Sequence, residues 1–69
     1  MSQWNIEIEQ EADGRWIAEV TDLPGCMVYG ASRAEAVRKA ESLALRVIAD
    51  RLDAGERVPF VEEAFLLPA

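Results

Sequence analysis

Histidine is absent from the chain, and cysteine occurs once, as Cys26. The first absence removes Ser-His-Asp and Cys-His catalysis, along with the commonest general base and metal ligand. The second removes any intramolecular disulfide framework. No apolar run approaches the roughly 18 residues of a membrane span. The opening MSQWNIEIEQ has neither the basic nor the apolar region of a signal peptide. A soluble, cytoplasmic protein without a membrane partner is expected. Bases are also scarce, seven against thirteen acids, for a net charge of −6. Nucleic-acid binding rests on Lys and Arg against phosphate, so no direct binding of DNA or RNA is expected.

What is present fits one small domain over residues 1–69, half of it hydrophobic. A domain of this size buries only about 60% of the surface its unfolded chain exposes, so association is expected to cover more. The acids are concentrated: residues 1–31 hold six of them against Arg15 alone, a net of −5. Residues 32–54 carry +1 and the tail from Gly55 carries −2. An acidic surface of this kind keeps a small protein soluble and also attracts a basic protein.

Residues 3–10 alternate, with Trp4, Ile6 and Ile8 on one face and Asn5, Glu7 and Glu9 on the other. The segment 11-EADG-14 carries a hairpin-turn signal, and Trp16, Ala18 and Val20 then alternate against Arg15, Ile17 and Glu19. These two strands predict an antiparallel hairpin with both tryptophans on the core side. In 21-TDLPGCMVYGAS-32, Pro24 presets a turn and Gly25 supplies positive φ, with Asp22 expected to bond local N–H groups. A short third strand is expected over 26–30. The sequence 32-SRAE-35 is a capping box in which Ser32 accepts from the Glu35 N–H while Glu35 reaches back.

The following helix places Val37, Ala40, Ala44, Val47, Ile48 and Arg51 on one stripe, flanked by Ala36, Leu43 and Leu52. Gly55 is its expected stop, with Pro59 beyond it. The tail 60-FVEEAFLL-67 predicts a fourth strand with apolar residues on both faces, suited to cover by the helix and by a second chain. The expected order is therefore βββαβ, an α+β fold with a small antiparallel-rich sheet and one long helix on one face. A homodimer is expected from the two-sided apolar tail.

Little chemistry is available. Cys26 follows a turn with no basic neighbour to lower its pKa, which suits a packed structural cysteine. Glu7, Glu9 and Glu19 form a carboxylate set of the kind that holds Mg²⁺, although solvent-facing strand residues produce such clusters routinely. No phosphate loop or zinc spacing occurs. No enzyme is expected, and no catalytic, cofactor-binding or metal-binding residue is assigned.

The spaced set Gly14, Trp16, Ala18, Glu19, Val20, Asp22, Leu23, Pro24, Gly25, Cys26, Gly30, Ser32, Glu35 and Ala36 resembles the HicB family of antitoxins. The likeness spans roughly residues 4–50. It implies a partly reduced ribonuclease H-like sheet without nuclease activity. It also implies a partner, a small basic mRNA-cleaving toxin of the HicA type whose active surface the antitoxin covers. Glu7, Glu9, Glu19, Asp22 and Tyr29 are the candidate toxin-facing residues. Family members commonly carry a C-terminal DNA-binding domain; this chain ends at Ala69, and no such domain is expected. The other readings are a solitary HicB-like dimeric regulatory module and, more remotely, a carboxylate-metal nuclease.

Overall fold

The structure, a computed structural model, describes residues 4–58 and 60–68. Three strands, β1 (Ile6–Gln10), β2 (Trp16–Val20) and β3 (Met27–Gly30), precede one helix, α1 (Arg33–Asp53), and a single 3-10 turn over Val61–Ala64. The sheet is antiparallel in the order β1-β2-β3, and the helix covers one face, so the expected α+β arrangement is observed.

The hairpin follows from local chemistry. Glu11 N–H donates to the Arg15 carbonyl at 2.7 Å and Gly14 N–H to the Glu11 carbonyl at 3.0 Å. Asp13 accepts from the Arg15 backbone N–H at 3.1 Å and pairs with its guanidinium at 2.7 Å, locking the turn from outside. Ile6 then faces Val20, Ile8 faces Ala18, and Gln10 faces Trp16.

The loop from β2 to β3 is two consecutive turns. Val20 C=O accepts from Leu23 N–H and Leu23 C=O from Cys26 N–H, each at 3.0 Å. Pro24 and Gly25 occupy the middle of the second turn, and Gly25 has φ +82°, the left-handed value that a type II turn demands there. The result drops Leu23 and Cys26 into the core, 0% and 1% exposed. Strand β3 therefore starts at Met27, one residue later than the alternation suggests.

Helix α1 begins as the capping box predicts, with the Ser32 hydroxyl accepting from Glu35 N–H at 3.1 Å. Glu35 reaches one residue further than expected, accepting from Ala31 N–H at 3.2 Å, and it also pairs with Lys39. At the other end Gly55 N–H donates to the Leu52 carbonyl and Glu56 N–H to the Arg51 carbonyl, a Schellman closure.

The buried face of α1 is centred on Ala36, Ala40 and Ala44, with Val37, Leu43, Val47, Ile48 and Arg51 only half-buried. Leu52, expected at the flank of the buried stripe, is exposed. At its start the helix approaches the sheet closely, with Ala36 fully buried there: a β-carbon on Gly30 would stand 2.5 Å from the Ala36 amide nitrogen. Ala18, Val20, Leu23, Cys26 and Val58 complete the core, with Trp4, Trp16, Ile6, Ile8 and Val28 packed around it. Both tryptophans thus lie on the helix side.

The expected fourth strand does not form. Phe60 takes a left-handed conformation (φ 67°) and packs edge-on against Trp4 at 5.2 Å. Such a backbone cannot continue a strand, and Val61–Ala64 coils into the 3-10 turn. Phe65 is extended, but the sheet of the described residues stays at three strands. Strand β1 begins at Ile6, so Trp4 and Asn5 of the expected strand precede it, while Gln3 and Pro59 lie outside the described residues.

Candidate functional site: the open face of the sheet

Strand alternation puts every second residue on the face opposite α1. Across that face Glu7 stands opposite Glu19 and Glu19 opposite Met27, while Glu9 stands opposite Ile17 and Ile17 opposite Tyr29. The two rows enclose a shallow depression of about 590 Å³ lined by Glu7, Glu9, Ile17, Glu19 and Met27. Carboxylates hold the β1 side, and Met27 and Tyr29 hold the β3 side, 48% and 41% exposed. The face is amphipathic across the strands.

One cation borders it. The Arg15 guanidinium sits 4.6 Å from the centre of the Tyr29 ring while its Nε pairs with Asp13. The Asp13 carboxyl is held below its ordinary range, first by the Arg15 backbone N–H and then by the Arg15 side chain. Arg15 is thus occupied on both sides and leaves the glutamates at the other end of the face unneutralised.

Of the five residues expected to meet a partner, the sheet gathers Glu7, Glu9, Glu19 and Tyr29 onto one surface. Asp22 is set apart. Its carboxylate accepts from the Asn5 backbone N–H at 3.1 Å, tying the loop to the start of β1 rather than bonding its own turn. Ile17 and Met27 belong to this face as well; their places opposite Glu9 and Glu19 were readable only once the strand register was known.

The remaining motif residues build the scaffold. Gly14 and Trp16 shape the hairpin, and Leu23, Pro24 and Gly25 shape the double turn. Ser32 and Glu35 cap the helix against which Gly30 rests. The Glu35 carboxyl is held below its usual range by the Ala31 N–H and then by Lys39. Cys26 points inward, its thiol 4.0 Å from the Ala40 carbonyl, and burial pushes its pKa up. A thiol kept protonated and enclosed is suited to packing.

Among the described residues no group of three or more Cys, Asp or Glu side chains stands close enough to hold a metal ion. No helix of the described residues is long and apolar enough to cross a membrane. Comparison of the chain with protein-family models, with curated proteins and with solved structures found no match.

Proposed function

We propose that the protein is a protein-binding module of the HicB antitoxin kind, docking a small basic toxin of the HicA type on the open sheet face and covering its RNA-cleaving surface. The observation that carries this reading is the pairing on one surface of Glu7, Glu9 and Glu19 with exposed Met27 and Tyr29. Apolar contacts hold an interface, while surrounding charge speeds encounter and fixes orientation. The HicB-like spacing from Gly14 to Ala36 supplies the class of partner. The acid balance of residues 1–31 suits a protein that binds RNA through its own bases. The protein itself is read as neither a nuclease nor a nucleic-acid binder.

The test is co-expression with a small basic protein encoded beside it, followed by growth measurement and pull-down. Rescue of growth and a stable complex are expected, with both lost in the Glu7→Lys, Glu19→Lys variant. Binding at unchanged affinity in that variant would place the contact elsewhere. If no such basic protein binds, the solitary-module reading takes its place, favoured by the exposed apolar tail.

A further inference from the structure

Helix α1 packs mainly over β2 and β3 and leaves a groove of about 430 Å³ along β1. Val20 and Ala44 form its floor, Trp4 and Ile6 one wall, and Leu45 and Ile48 the other, with Glu41 the one charged residue of the lining. Leu45, on the rim, is 68% exposed. The backbone edge of β1 that borders this side has no strand beside it among the described residues. Elsewhere the same chain carries Phe65, Leu66 and Leu67, exposed to 69, 98 and 83%. Three consecutive large apolar side chains in water are the composition of a contact segment, not of a free surface.

We infer that the Phe65–Leu67 tail of one copy seats in the β1–α1 groove of a second copy, reciprocally. The chemistry matches on both sides: a slot apolar but for Glu41 beside an unpaired strand edge, and an apolar segment whose backbone at Phe65 is already extended (φ −129°, ψ 137°). Side chains alternate along an extended segment, so Phe65 and Leu67 face the groove together while the backbone lies along β1 as an added strand.

A second copy, rather than the tail's own groove, follows from how the tail is rooted. Phe60 is pinned on Trp4, and Val61 packs against the core. The 3-10 turn, closed by Glu63 N–H donating to the Phe60 carbonyl at 3.2 Å, then leads the chain off the body. In the folded chain Phe65, Leu66 and Leu67 stand in solvent and leave their own groove open, and a second copy offers the same groove to them. One three-residue tail covers too little surface for a stable interface, which buries on the order of 1,600 Å² in total. Two-fold exchange doubles the contact and closes the assembly at a dimer.

The inference uses the face opposite the proposed toxin surface and stands independently of it. Sedimentation of the full chain at micromolar concentration tests it. A wild-type dimer is expected. Leu45→Asp, and separately Phe65→Asp with Leu67→Asp, are expected to weaken it by about tenfold or more, since each sets a charge into the apolar contact. Leu45 is exposed, so its variant keeps the fold, and an unchanged helical circular dichroism signal checks this. Mixing Leu45→Cys with Leu67→Cys chains under mild oxidation is expected to give a disulfide between the two variants, Cys26 being enclosed. Glu7→Lys with Glu19→Lys is expected to leave the dimer intact. The idea is overturned by a wild-type monomer at every concentration, or by a dimer indifferent to both sets of aspartates. Loss of the dimer in the Glu7, Glu19 variant would overturn it too. So would a chain carrying both cysteines that closes on itself independently of dilution.

Discussion

At Gly30 the chain has no room for a β-carbon, because the Ala36 backbone passes within 2.5–3.1 Å of where it would stand. Gly30→Ala therefore has to push the helix start away from β3, and overpacking of this kind costs about 1–3 kcal/mol. Gly25 is different: open space surrounds its missing side chain, and only its left-handed φ resists substitution. Gly25→Ala is expected to cost about 1–2 kcal/mol through backbone strain alone. Urea titration of the two variants checks the ordering. Asp13 and Glu35 give the molecule an acid limit. Both carboxyls are held low in the folded chain, so the unfolded chain binds more protons as pH falls. Their stabilisation is present above the ordinary carboxylate range and drains away below about pH 4 as the folded groups protonate. Asp13→Asn with Glu35→Gln should flatten that acid limb in a pH series of thermal melts.

Among the elements, β1 and β2 carry a conflict on the open face. Glu7 stands directly opposite Glu19, and like charges in such a cross-strand pair destabilise a sheet. Glu19→Thr should raise stability by about 0.2–1 kcal/mol in urea titration, while weakening any basic partner. A gain in stability together with a loss in binding would mark the pair as kept for recognition. At the helix start, Ser32→Ala should cost about 0.5–2 kcal/mol, since it removes the acceptor for Glu35 N–H.

The same elements show what the sequence could and could not tell. The hairpin, the Pro24-Gly25 turn and the Ser32 cap were legible because each is decided by residues a few positions apart. Glu7, Glu9, Ile17 and Glu19 were legible as outward-facing from strand alternation, but which of them stand opposite one another, and the places of Met27 and Tyr29 beside them, needed the register between strands. The helix face was legible from the 3.6-residue spacing, which already held Ala40 and Ala44, but not its centre: close approach at Gly30 puts Ala36 fully inside, while Leu52 at the far flank is exposed. The tail was misjudged. Its residues suit a strand, yet a strand exists only where an edge is offered, and Phe60 turns the chain away from its own.

As a whole the molecule is two layers thick, sheet and helix, with an acidic outer sheet face and an apolar side groove. Association at the first should weaken with salt and at the second should not. Charges at an exposed rim are screened over about 10 Å at 0.1 M, so toxin binding is expected to weaken steeply as salt rises. The self-association constant should hold or rise over the same range, since salt screens the repulsion between two chains of net charge −6, and calorimetric titration and sedimentation measure the two in parallel.

The alanine face of α1 has one further effect. All three buried residues lie in the first twelve positions of the helix, and the remaining nine have none. The front of the helix is notched against Gly30, while its back half rests on half-buried Val47, Ile48 and Arg51. A helix held this way opens from one end. Amide protons from Ala40 to Ala44 should exchange with deuterium slowest and those from Ala49 to Asp53 fastest, with protection falling along the chain between them. Because the groove wall at Leu45 and Ile48 lies where that gradient begins, a seated tail should move the boundary of slow exchange toward the C-terminal end of the helix.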